Sequence, residues 1–504
     1  MDCSIEFYKA FKPIQNKLKS FRKDQITIMC LESLKRTWDI NISDLPKNNF
    51  LLPWHILLIL KWGIAYGANK IEGKELTKKD FFSIYNMTND LPTHIKWLDR
   101  GDSLGLWKFM RSLLSGQRTY QEKTTLYKLC ITEIILKDIG IDFDVDAALN
   151  KLVGIELEEF VDFQCLLMAM FIMKENYPRY SLNSFKSLST KLDIRKLENF
   201  LRFISMDFQE LEIFMTDHHF ALKNPEMEYN LLSPLYKKPL YRINNTYIAY
   251  NKTLLNRFCQ HGLYDILKLS NPESFSGAFG HGFETYLTYS LRSIDDKFYR
   301  EKAIRREFNT QSSVDFLLHD DLNVLLIEAK SAEMSELTPH NPEITYLEQT
   351  FKNSLIKGYK QIILTAHDLQ KQNPSLFQES DFWALLVTYK DFQMGAPEFI
   401  WVEFMKDQMK YLLPNEIFNK MPIDPMKIFI VSVDEFELLC AYSNQSNNNI
   451  FKCFEIPYNN NKDKEKSRFF FDMHFPFQNI KLHNLKHVNK KYNEIFNRIL
   501  SYKK

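Results

Sequence analysis

From Met1 to about Arg202, apolar residues recur at the three-to-four spacing of amphipathic helices. The pattern predicts helices over Ile26–Trp38, Pro53–Tyr66, Gly105–Leu114, Thr124–Asp138 and Leu157–Glu175, with Pro and Asn-Asp turns between them, and so an all-α front part. The most apolar run, Phe50–Ala68, is broken by Pro53, His55 and Lys61, which predicts a buried helix and no membrane span. Beyond Pro234 the pattern changes. LYRI and TYIAY flank Asn244-Asn245 and predict a hairpin. Gln361–Ala366 (QIILTA), Phe382–Tyr389, Phe399–Met405 and the start of Lys427–Tyr442 read as strands. In Pro342–Lys360, Ile344, Leu347, Phe351, Leu355 and Tyr359 fall at helical spacing, and Ser432 or Asp434 would cap a helix ending near Tyr442. Asn444–Asn449 and Asn459–Lys466 read as loops.

One segment departs from ordinary patterning. Ser313–Lys330 (SVDFLLHDDLNVLLIEAK) is two apolar strands around a polar turn, His319–Asn323, and each strand carries an acid. Side chains alternate along a strand, so Leu326, Glu328 and Lys330 share one face. If Leu318 pairs near Val324 or Leu325, Asp315 falls opposite Ile327 or Glu328, and a one-residue slip would send it to the other face. Two carboxylates on a half-buried sheet repel each other and lose hydration, a cost that a divalent cation offsets. Carboxylate oxygens are the hard ligands Mg²⁺ prefers, and Mg²⁺ is held by one or two of them with water and phosphate completing its shell. An adjacent ammonium, Lys330, suits phosphodiester hydrolysis, where it orients water or offsets charge on phosphate oxygens.

Asp315, then a gap, then Glu328-Ala329-Lys330, with Glu284 on the helix upstream, resembles the PD-(D/E)XK, restriction-endonuclease-like nuclease superfamily over about residues 275–390. The resemblance implies an αβββαβ core with a mixed sheet, in which His281–Ile294 is the first helix and Phe298–Phe308 (FYREKAIRREF) the first strand. It also implies that Asp315, Glu328 and the Ala329 carbonyl hold Mg²⁺ (Mn²⁺ as the alternative ion), that Lys330 positions water, and that Glu284 is a further acid at the metal site. Val314 stands where the family has proline. The same residues have plainer readings. Glu328 and Lys330 could be an ion pair at a strand end, Asp315 a turn cap, and Glu284 an acid placed in a first helical turn by the macrodipole. Lys360 and Gln361 could touch phosphate, although a lysine near a helix C-terminus is ordinary.

With 504 residues, 45% of them hydrophobic and 25% charged, the chain is a packed protein of two or three domains. The expected division is a helical domain (1–230), a nuclease-like domain (231–445) and a basic C-terminal extension (446–504), in an α+β multidomain protein. The net charge of +2 hides a local surplus, since Phe451–Lys504 holds 12 Lys or Arg against 5 Asp or Glu, interleaved with Phe469, Phe470, Phe471, Tyr492 and Phe496. Such a tail would track a phosphate backbone, or would form a lysine-rich helix over Leu485–Tyr502 packed by its apolar face. The seven cysteines show no zinc-ligand spacing and read as reduced, buried thiols. Met1–Pro13 has no charged-then-apolar leader, so a cytoplasmic protein is expected. The partner implied by the resemblance is DNA, with RNA left open, and a further protein could engage the helical front part. The architecture looks like bacterial genome-defence nucleases. The alternative is an inactive nuclease-like module or scaffold that binds nucleic acid or protein.

Overall fold

The computed structural model describes residues 4–38, 51–69, 71–95, 105, 107–108, 110–112, 114, 120, 126–172, 179–186, 192–218, 224–294, 297–334, 338, 344–446, 449–463, 465–476 and 485–502. The expected helix over Gly105–Leu114 lies partly outside them. The protein is α+β, mostly helical, with two mixed sheets.

The smaller sheet has four strands in the order β1-β4-β3-β2: β1 (Arg179–Ser181), β2 (Ser205–Met206), β3 (Leu240–Ile243) and β4 (Thr246–Ala249). The hairpin expected at Asn244-Asn245 is β3–β4, and Asn244 takes the left-handed φ of 53° that Asn tolerates. The front part is not all helical, because β1 lies within it and pairs with β4. A three-residue strand gives too short an alternation to detect against helical neighbours.

The larger sheet follows chain order: β5 (Phe298–Arg300), β6 (Phe316–His319), β7 (Asn323–Lys330), β8 (Asp381–Thr388) and β9 (Ile428–Ser432). The first three strands are antiparallel, and β8 and β9 join parallel to β7. Its faces are sorted residue by residue. Phe316, Leu318, Leu325, Ile327 and Ala329 meet Phe275, Phe279, Phe283 and Leu287 of helix Pro272–Arg292. On the other face Leu317, Val324 and Leu326 meet Leu347, Phe351, Leu355, Tyr359 and Ile362. The core under the first face also takes Leu129, Ile135, Phe160 and Phe200 from the front part and Val488 and Ile495 from the last helix, so all three expected segments contribute to it.

Three expected strands are helical. Only Phe298–Arg300 of the first is extended; Glu301–Phe308 is a helix, with Arg305 paired back to Glu301 and Ile304 and Phe308 buried one turn apart. Gln361–Ala366 continues the preceding helix as Lys357–Gln372, because Tyr359, Ile362, Ile363, Ala366 and Leu369 prolong the same buried stripe. Phe399–Met405 is helical as well, with Ile400, Phe404, Met405 and Met409 turned into the core. Asn459–Lys462, expected in a loop, closes helix Ile450–Lys462. The helix after β9 begins at Val433, where Glu435 accepts from the Ser432 N–H and hydroxyl, a capping box.

The basic C-terminal segment packs by its apolar face. Phe470 and Phe471 are buried and Phe469 lies against the core; in helix Lys486–Ser501, Val488 and Ile495 are buried and Phe496 is exposed. The six cysteines among the described residues are free and buried. No helix among the described residues is long and apolar enough to cross a membrane.

Candidate active site

Leu318 pairs with Leu325 and Phe316 with Ile327, so one further step of this register sets Asp315 across from Glu328. The polar turn fixes that register, since Asp320 accepts from the Leu322 and Asn323 N–H groups at 2.9 and 2.7 Å. Asp315 is held at both ends. Its Oδ2 accepts the Ala329 N–H at 2.7 Å, and its carbonyl accepts the Glu301 N–H at 3.0 Å. Gln361 donates to the Ser313 carbonyl at 2.7 Å and so fixes the approach to Asp315; its amide stabilises the chain here.

Glu328 and Lys330 point to the same face, and the Lys330 ammonium rests on Glu328 Oε1. Glu328 is 1% exposed because helix Lys357–Gln372 lies directly over it. Gly358 permits that approach: a Cβ there would stand 2.7 Å from Leu386 Cδ1 and 3.5 Å from Glu328 Cγ. Glu328 Oε2 is buried and has no hydrogen-bond partner among the described residues.

Glu284 arrives from the opposite layer. Its helix begins at Pro272, so Glu284 sits in the middle of the helix and the macrodipole does not account for it. Gly282 sets the depth of that helix, because a Cβ would meet the Ile135 carbonyl oxygen at 2.6 Å. Glu284, Ala329 and Lys330 line one cleft of about 290 Å³.

The electrostatics share one cause. Burial and then the charge of Asp315 raise the Glu328 carboxyl to about 8, with Lys330 pulling it back. The same two causes, in the same order, raise Glu284 to about 7. Asp315 is raised by burial, against the Ala329 hydrogen bond and the charge of Lys330. Three acids thus crowd one end of β7 with too little positive charge among them. Among the described residues no group of three or more His, Cys, Asp or Glu side chains is gathered as a metal cage. A site of two carboxylates completed by backbone carbonyl and water is of another kind, and the unpartnered Glu328 Oε2 fits it.

A further set was not legible in the sequence. Lys390 bridges Asp265 and Glu333, and Lys268 takes the other oxygen of Glu333, three residues beyond Lys330. These residues are far apart in the chain and none has a distinctive neighbour pattern. Compared with known protein families and with curated protein sequences, the chain shows no match to either.

Proposed function

We propose that the protein is a metal-dependent phosphodiesterase acting on nucleic acid, with DNA as the first candidate substrate. One observation carries the reading: Glu328, beside Asp315 and Lys330 on adjacent strands, holds a buried oxygen, Oε2, that has no partner among the described residues. The acid-acid-lysine order resembling PD-(D/E)XK nucleases supports it. So does the sequence of elements, helix Pro272–Arg292, strands β5 to β7 with helix Glu301–Phe308 between β5 and β6, then helices and β8.

Asp315 and Glu328, with the Ala329 carbonyl, would hold Mg²⁺ or Mn²⁺. When bound, that ion polarises a phosphate and lowers the pKa of a water. The chain's own groups do the rest. Lys330 supplies a positive charge at the floor of the cleft, where it orients a water or offsets charge on phosphate oxygens. Glu284, raised to about 7, accepts or holds a proton near neutral pH. Helices on both faces of the sheet exclude bulk water from Glu328.

The test is cleavage of plasmid DNA and of single-stranded DNA and RNA with Mg²⁺ or Mn²⁺, comparing Glu328→Ala and Lys330→Ala. Cleavage lost in both variants is expected. Cleavage surviving both would remove the site assignment, and none by the parent protein under any condition would favour a binding module.

A further inference from the structure

We propose that the cleft over Lys330 takes a single strand of nucleic acid, and that a double helix reaches Glu284, the Ala329 backbone and Lys330 only after local opening. This rests on the phosphodiesterase reading above. At about 290 Å³ the cleft falls at the lower edge of the roughly 300–1,000 Å³ usual for a pocket holding one small molecule. That is room for about one nucleotide unit. Helix Pro272–Arg292 forms one side with Ser276 and Gly280, and Tyr264 and Lys268 of helix Leu263–Ser270 form another. Asn353 lies on the rim.

The wall is tied in place. Lys390 Nζ lies 2.7 Å from Glu333 Oε2 and also pairs with Asp265, while Lys268 pairs with Glu333 Oε1. The two ammonium groups lie 4.8 and 5.8 Å from the Tyr264 ring. Ion pairs therefore tie helix Leu263–Ser270, the exit of β7 and the residues after β8 to one another.

A duplex presents its phosphates on a convex surface between grooves about 12 and 6 Å wide, with the second strand stacked behind. Such a phosphate cannot descend into this recess without its paired strand following. An unpaired strand has no such burden, and enzymes that act within snug pockets take nucleotides in that form. The charge pattern agrees. Both lysines lining the cleft already hold carboxylates, so they do not form the open basic stripe that tracks duplex phosphates. Two further polar groups at the cleft, Ser331 and Asn353, suit hydrogen bonding to one sugar-phosphate unit.

The experiment uses the full chain with Mg²⁺ or Mn²⁺ and end-labelled substrates of one sequence: single-stranded DNA, single-stranded RNA, a fully paired duplex and a duplex with a single-stranded flap. Unpairing and unstacking cost enough that a single strand or flap should be cut about tenfold or more faster than the duplex. Lys268→Ala, at the partly exposed rim, and Glu333→Gln each loosen the wall. Both are expected to raise the duplex rate relative to the single-strand rate, a ratio that a general loss of folded protein leaves unchanged. A duplex cut as fast as the single strand by the parent protein would overturn the proposal and leave the phosphodiesterase reading standing. A parent protein that cuts nothing would overturn both.

Discussion

Two groups of buried acids in this protein are built on opposite principles. Under the last helix, Arg498 donates to both oxygens of Glu133 at 3.2 Å and to Asp162 at 3.0 Å, and Lys491, Lys137 and Tyr502 join them. Every oxygen of those two acids has a partner. At the end of β7, Asp315, Glu328 and Glu284 share Lys330, and Glu328 Oε2 has no partner among the described residues. A buried acid with its full set of donors is part of the architecture. A buried acid left short of them, set beside a second acid and a lysine as Glu328 is, is where the proposed cation would bind.

The largest expected difference is in activity. Glu328→Ala and Lys330→Ala should each lower the cleavage rate on the order of 10²–10⁴-fold, whereas Arg498→Met should keep the rate per folded molecule, measured with active protein quantified by native gel. Stability should show the reverse. Arg498→Met leaves Glu133 and Asp162 buried without their main partner and should cost about 3–5 kcal/mol in urea unfolding. If Arg498→Met unfolded at the parent's midpoint, the contrast would collapse.

The pH dependence sharpens the comparison further. Glu328 has an ordinary pKa of 4.5 when unfolded and about 8 when folded, so the native state binds its proton more tightly. The associated stability is full below about pH 4.5 and is lost as pH rises through 8. In EDTA the melting temperature should therefore fall across that window; Glu328→Gln should flatten the fall, and Mg²⁺ should oppose it in the parent only. A parent profile identical to that of Glu328→Gln would show the carboxyl to be ionised throughout. The smallest effect is expected at Glu284, which is half-buried and comes from the other layer. Glu284→Gln should reduce the rate by about tenfold and shift the pH–rate profile, read from initial rates between pH 6 and 9.

The hairpin was legible because its evidence is local: alternation fixes faces, the turn fixes register, and both survive without knowledge of the rest of the chain. Glu284 was legible as a candidate but not in its setting, since the start of its helix at Pro272 depends on Asn271 capping and on packing against Ile135. The strands expected at Gln361–Ala366 and Phe399–Met405 failed for a common reason. Short apolar runs rich in Ile, Phe and Val look alike in strand and helix, and only burial of Tyr359, Ile362 and Ala366 along one stripe separates them. Glu301–Phe308 failed differently, because its charges mask a two-turn apolar face of Ile304 and Phe308. The ion-pair wall of Asp265, Lys268, Glu333 and Lys390 exists only in three dimensions.

The last helix has a consequence in time as well as in space. Val488 and Ile495 belong to the core beneath the sheet, and His487 packs against Tyr286, two residues from Glu284 on the same helix. A nascent chain folds as its segments leave the ribosome, front part first. The hairpin bearing Asp315 and Glu328 thus emerges long before the helix that completes its support, and the acid cluster gains its full packing only when synthesis has passed residue 501.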